Sequence, residues 1–229
     1  VSEARIAVAS KSFSQHPTLR AELAGSYRQI TFNDTGKVLR GAELIAFLRG
    51  HEKAITGLDI VDDAVLAALP ELTVISKYGV GLDMIDLAAA RRRGVSVRWT
   101  PGVNRQAVAE LTIAFMLNLG RSIVPLAHEM PDGGWRRPGG RQLSSSTVGI
   151  VGCGHVGQTV ARLCRAFGSR VLAHDIVRYD EFYRDANVQP VPLDVLLSES
   201  DVVTIHVPLD RWTRHLIGAG EIARMKASA

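Results

Sequence analysis

The sequence predicts an α/β fold used twice, as two parallel sheets with helices packed on their faces. Three observations predict it. From Arg5 to Pro101, short apolar runs alternate with segments of helical spacing. The same alternation resumes at Thr147 and continues through the last third of the chain. Between the two series lie one long apolar helix and an irregular stretch, which places a domain boundary near residue 100. Such alternation suits parallel strands, because a crossover between parallel neighbours needs a connection long enough to hold a helix.

The elements follow in order. RIAVAS (Arg5 to Ser10) suits a buried strand, PTLRAELAG a helix closed by Gly25, and YRQITF (Tyr27 to Phe32) an alternating strand. GAELIAFLRG has helical spacing at Leu44, Ile45 and Leu48 and stops at Gly50. KAITG is a short strand, DDAVLAALP a capped helix ended by Pro70, and LTVISKYG a strand. DMIDLAAARRRG reads as a helix whose solvated end carries Arg91, Arg92 and Arg93, and VSVRWTP as a strand. Asn104 opens NRQAVAELTIAFMLNLGR, a helix over 104–121 that is apolar almost all round from Val108 to Leu119. Such a helix is expected to be buried on several sides. Pro125 to Ser146 is irregular, rich in Gly, Pro, Arg and Ser, and long for a loop, so it is read as a boundary or as an arm that packs on something else, such as a second subunit. TVGIVG, RVLAHD and DVVTIHVP then read as strands. HVGQTVARLCRAFG, the middle of VPLDVLLSES and the start of AGEIARM read as helices. The expected division is 1–100 and 101–229, two Rossmann/flavodoxin-like parallel-sheet domains with the second incomplete.

Composition narrows the function classes. Hydrophobic residues make up 46% and charged residues 22%, which excludes wholesale disorder. The net charge of +4 is mild, and no basic stripe interleaved with aromatics is present, so no nucleic-acid partner is expected. The apolar segment Ala107 to Leu119 is interrupted by Glu110 and too short to span a bilayer. No secretory leader pattern opens the sequence, so a cytoplasmic location without membrane association is expected. Cys153 and Cys164 lie in and just after a glycine turn and read as small buried fillers rather than a disulfide. No cluster has metal-ligand spacing.

The chemistry is concentrated in VGIVGCGHVGQTVA, Val148 to Ala161. Gly152, Gly154 and Gly157 form G-x-G-x-x-G, a weak signal alone. Here a buried strand precedes it, a helix opens inside it, and Asp175 stands at the end of the next strand. Gly152 permits the tight turn, Gly154 lets backbone approach a pyrophosphate, and Gly157 lets the helix pack closely on the strand. The helix start at His155 and Val156 offers N–H groups and a positive dipole end to phosphates. Asp175 is placed to accept from ribose hydroxyls and to repel a 2′-phosphate, favouring NAD over NADP, a preference that Arg178 slightly weakens. His206 reads either as a satisfied core histidine or as part of a segment that closes over the cofactor at a strand end.

These pieces resemble the NAD-dependent D-isomer-specific 2-hydroxyacid dehydrogenases. The resemblance rests on KYGVGLDMIDLAAARRRGVSV, TPGVNRQAVAE, TVGIVGCGHVGQTVARL, SDVVTIHVPL with Thr213 beyond it, and IARMK, in the family's order over nearly the whole chain. The phosphoglycerate dehydrogenase type looks nearest. The resemblance implies a substrate-binding domain first and the cofactor domain second. It implies that backbone N–H groups of Val80 and Gly81 hold the substrate carboxylate, beside Lys77 and Tyr78. It maps His155, Val156 and Asp175 onto cofactor contacts, and Val207, Pro208 and Thr213 onto a loop near the cofactor. Asn104 and Glu110 read first as a helix cap and a buried hydrogen-bonded acid.

Family chemistry is hydride transfer between NAD(H) and a small 2-hydroxy or 2-oxo acid, of phosphoglycerate or hydroxypyruvate type. It uses an arginine shortly after the MK motif, then a glutamate and a histidine. After Met225 and Lys226 come only Ala227, Ser228 and Ala229, so no catalytic residue is assigned in this chain, and the natural polypeptide is expected to continue. The competing reading is a non-catalytic NAD-binding regulator on the same scaffold. A homodimer is expected, from the resemblance and from the arm.

Overall fold

The structure, a computed structural model, describes residues 2–229 and falls into two compact units, one ending at Val103 and one spanning Asn104–Ala229. The first holds β1 (Ser2–Val8), α1 (Lys11–Ser14), α2 (Pro17–Ser26), β2 (Tyr27–Phe32), α3 (Gly41–Leu48), β3 (Lys53–Thr56), α4 (Asp63–Ala67), β4 (Val74–Lys77), α5 (Leu87–Arg92) and β5 (Ser96–Arg98). Its sheet is wholly parallel, in the order β2-β1-β3-β4-β5. Local chemistry sets the helix starts. Asp62 and Asp86 each accept an N–H three residues on, from Val65 and Ala89 at 2.9 Å, and Pro17 opens α2 where its missing N–H costs nothing. Leu44 and Leu48, one turn apart on α3, pack with Leu66, Leu69 and Ile75 in one core. Helix α2 runs through Gly25 and ends at Ser26 rather than stopping at the glycine.

The second unit holds α6 (Arg105–Arg121), α7 (Ile123–Glu129), β6 (Thr147–Val151), α8 (His155–Ala166), β7 (Arg170–His174), α9 (Asp180–Asp185), β8 (Gln189–Pro190), α10 (Leu193–Glu199), β9 (Val202–Ile205) and α11 (Ala219–Ile222). Its parallel order is β8-β7-β6-β9. Gly157, Val160, Ala161 and Cys164 form the buried stripe of α8, the i, i+3, i+4, i+7 spacing of a helix packed on a sheet.

Four expectations are corrected here. The arm is not irregular throughout: α7 and two 3-10 turns, Met130–Asp132 and Leu143–Ser145, occupy part of it. Pro125 is accommodated because it lies in the first turn of α7, where N–H groups have no intrahelical partner. Helix α6 is not buried on several sides. It buries Ala109, Ile113 and Met116, while Leu111, Phe115 and Leu119 are 55%, 57% and 77% exposed. Helix α8 makes the main packing on α6, with α7 and the Leu143–Ser145 turn touching it more lightly, so one stripe is buried. Glu110 is exposed and accepts from Gln106 Nε2 at 2.8 Å, because its position falls off that stripe. Asn104 stands at the N-cap of α6 but its side chain makes no capping bond, and its Oδ1 is buried without a partner among the described residues. Helix α9 and the short β8 went unread in the sequence, being too brief to show a period. No single helix among the described residues is long and apolar enough to cross a membrane.

Candidate functional site

The carboxyl ends of β6, β7 and β9 meet at the glycine turn. The Gly152 N–H donates to His174 O at 2.8 Å, and the His206 N–H donates to Val151 O at 2.7 Å. Gly152 has φ +91°, a left-handed conformation that favours glycine. A Cβ there would lie 2.7 Å from the His206 carbonyl and from Val207 Cγ1. A Cβ on Gly157 would overlap the carbonyl oxygen of Gly152, so α8 packs on the turn only because that position is bare. Gly154 differs: a Cβ there would meet nothing within 4 Å. It is the N-cap of α8 and supplies no side-chain cap, so the first-turn N–H groups of a twelve-residue helix face an open position. His155 is exposed and Val156 half-buried at that helix start.

Asp175 follows β7 and spans the turn. Its Oδ2 accepts the Cys153 N–H at 2.6 Å, and its Oδ1 accepts the Val177 N–H at 2.9 Å. These bonds fix the carboxylate beside the glycine turn while leaving lone pairs on both oxygens. Tyr183 packs behind, 5% exposed, with Tyr179 and Phe182 edge-on to it. Burial pushes the Cys153 thiol up to about 12, helped by the Asp175 charge, and burial likewise pushes the Tyr183 phenol up. Neither group has an acid or base role near neutrality.

The residues after β9 form a self-closed loop. Thr213 Oγ1 donates to Pro208 O at 2.5 Å and accepts from the Asp210 N–H at 2.9 Å. Asp210 in turn accepts from the N–H groups of Trp212 and Thr213. His206 Nε2 lies 2.9 Å from Thr204 Oγ1, and burial holds its imidazole below the usual histidine range. The ring is thus a half-buried, bonded strand-end group, while its backbone abuts Gly152.

Gly152, Gly154, His155, Val156, Gly157, Asp175, His206, Val207 and Pro208 therefore gather around one end of the second sheet, and Thr213 shapes the adjoining loop. Val80 and Gly81 belong to the first unit, in the loop after β4. No described group accepts the N–H of Val80 or Gly81, and a carboxylate oxygen of Asp83 lies close beside Gly81. Lys77 donates to the Gly57 carbonyl, and burial lowers its pKa. Tyr78 stacks edge-on against Phe13 at 5.4 Å. Sequence reading missed the aromatic shelf behind Asp175, whose trace is Tyr179 and Tyr183 one helical turn apart.

A parallel sheet, a glycine turn opening a helix, and an acid at the next strand end define a Rossmann-type dinucleotide-binding unit. Residues 113–229 match the sequence model of the D-isomer specific 2-hydroxyacid dehydrogenase, NAD binding domain. A glyoxylate reductase of Korarchaeum cryptofilum is 37% identical over 177 residues, covering 75% of this chain and 53% of that protein. A D-3-phosphoglycerate dehydrogenase of Archaeoglobus fulgidus is 40% identical over 168 residues, covering 72% of this chain and 32% of that protein. The structure of D-lactate dehydrogenase from Aquifex aeolicus, complexed with NAD and lactic acid, aligns with TM-score 0.83 at 27% identity over 96% of this chain and 66% of that one. The chain belongs to the D-isomer specific 2-hydroxyacid dehydrogenase family, and NAD is its cofactor. It spans about half the length or less of the two curated relatives named here.

Proposed function

We propose that this chain is the cofactor-binding and carboxylate-binding part of an oxidoreductase. That enzyme transfers a hydride between NAD(H) and a small 2-hydroxy or 2-oxo acid, of phosphoglycerate or hydroxypyruvate type. The observation that carries the reading is the intact turn: bare Gly152, Gly154 and Gly157 with Asp175 bonded across it. Bound NADH supplies the hydride, and NAD accepts it. Gly154 and the N–H groups of His155 and Val156 would hold the pyrophosphate, and Asp175 would accept from the ribose. Gly152 and Gly157 keep the turn shut around that cradle. His206, Val207 and Pro208 contribute backbone and apolar wall, and Thr213 fixes their loop. The N–H groups of Val80 and Gly81 hold the substrate carboxylate, an anion that backbone amides can bind. In this reading chain 1–100 is the substrate-binding domain.

We further propose that the protein is a homodimer. The exposed stripe of Leu111, Phe115 and Leu119 on α6, with Ile123 at the start of α7 and Met130 and Trp135 of the arm, is the surface that a second copy covers.

The test has two arms. Titration of the 229-residue chain with NADH, followed by nicotinamide fluorescence, is expected to saturate below a millimolar. The full-length protein is expected to oxidise NADH with glyoxylate, hydroxypyruvate or phosphohydroxypyruvate. Absence of binding by a folded chain rejects the cofactor site. Binding without turnover on any 2-oxo acid turns the reading into that of a non-catalytic NAD-binding regulator.

A further inference from the structure

The segment after β7 carries three charges. Asp175 faces the glycine turn, Arg178 follows three residues on, and Asp180 opens α9. The bond from the Val177 N–H to Asp175 Oδ1 at 2.9 Å folds the first three residues into a tight turn, so the acid and Arg178 share one short loop. The guanidinium is engaged elsewhere. Arg178 Nε donates to Asp180 Oδ1 at 3.0 Å and Nη2 to the same oxygen at 2.6 Å. Both side chains are largely exposed, at 73% and 66%, so the pair is held by each partner's charge rather than by burial. Its effect is on the local charge count. With Arg178 neutralised by Asp180, the loop presents Asp175 as a net negative end to the ribose. Without Asp180, the same loop is neutral and holds a guanidinium with five free donors, the group best shaped for a phosphate.

We propose that Asp180 is a specificity-determining residue for the cofactor: by pairing with Arg178 it withholds a cation from the 2′ position and so sets the preference for NAD(H) over NADP(H). The inference rests on the reading of Asp175 as the ribose acceptor. It adds that this acid acts together with a latch two residues beyond Arg178. The latch is an exposed ion pair of small intrinsic stability, so it costs the fold little to keep or to lose.

The experiment measures dissociation constants of the 229-residue chain for NADH and NADPH by fluorescence, at low salt and at 0.5 M salt. Asp180→Asn is expected to leave NADH affinity nearly unchanged and to tighten NADPH roughly fivefold or more. That figure corresponds to one unit charge interaction at about 4 Å in water, and the gain is expected to shrink at high salt. Asp180→Glu, which keeps the pair, should retain the wild-type ratio. Asp180→Asn combined with Arg178→Ala should lose the gain. If wild type binds NADH while Asp180→Asn leaves the NADPH to NADH ratio within twofold of wild type, the latch is wrong and the site stands. If the gain persists in the double variant, Arg178 is not its agent and the proposal fails. If the folded wild-type chain binds neither dinucleotide, the underlying reading falls and takes the latch with it.

Discussion

Gly154 and Gly157 sit three residues apart in one turn, yet answer to different constraints. A methyl group on Gly157 would run into the Gly152 carbonyl, and backbone must move to admit it. Gly157→Ala is therefore expected to destabilise the fold by about 1–3 kcal/mol, read as a lowered urea midpoint. A methyl group on Gly154 would meet nothing in the protein. Gly154→Ala should keep the free energy of urea unfolding within about 1 kcal/mol of wild type while weakening NADH at least about tenfold. Equal loss of stability in both variants would show that Gly154 serves the fold instead of the phosphates. The thiols make a second prediction at this scale. Cys153 and Cys164 are free and buried, and burial pushes both up to about 12. Reaction with a disulfide reagent at pH 8 should be at least about a hundredfold slower in the native protein than in urea, because the thiolate is the reactive species. Each raised pKa means that the fold keeps its proton longer than the unfolded chain. Their contribution is complete below an unfolded value of about 8.5 and is lost as pH climbs toward about 12.

Asp201, at the mouth of β9, ties several elements together. Its Oδ2 accepts the Thr147 N–H at the start of β6 at 2.8 Å. Its Oδ1 accepts Lys226 Nζ at 3.0 Å and lies 3.4 Å from Arg141 of the arm. The Thr147 N–H, then Lys226, hold this carboxyl below the usual carboxylate range. Asp201→Asn is expected to cost about 1–2 kcal/mol at pH 7, measured by urea unfolding. A lowered folded pKa gives stability that is present above the unfolded value of about 3.9 and is lost as pH falls. The gap between wild type and variant should therefore narrow on going from pH 7 to pH 3, and a constant gap would exclude the carboxylate charge as its source. Helix α6 makes the other prediction at this scale. Leu111, Phe115 and Leu119 recur every four residues on an uncovered face. Phe115→Glu with Leu119→Glu is expected to convert a dimer into a monomer in sedimentation, with helix content unchanged.

At the scale of the whole molecule, the same physical plan appears in both units: strands run parallel, so their carboxyl ends and the amino ends of the following helices collect on one side of each sheet. The first unit presents two free amide donors at Val80 and Gly81, and the second presents the glycine turn with Asp175. Under the proposed function both serve as anion-binding devices made mostly from backbone. Accordingly, phosphate, sulfate or a simple 2-oxo acid at millimolar concentration is expected to raise the melting temperature of the chain, and chloride at equal ionic strength is not.

The sequence by itself determined the alternation of strand and helix, the turn at Gly152–Gly157 and the position of Asp175. Each of these depends on near neighbours: periodicity, a glycine where φ is positive, an acid at a strand end. The tertiary structure alone decided the rest. Whether α6 is buried all round depended on how many partners reach it, and within its unit only one face is covered. Glu110 lies off that face, so the hydrogen-bonded acid expected inside is outside. The Thr213 hydroxyl was spent on closing its own loop, and Arg178 was claimed by Asp180. Those outcomes turn on which of several competing groups comes within about 3 Å, a distance that no local pattern in the chain encodes.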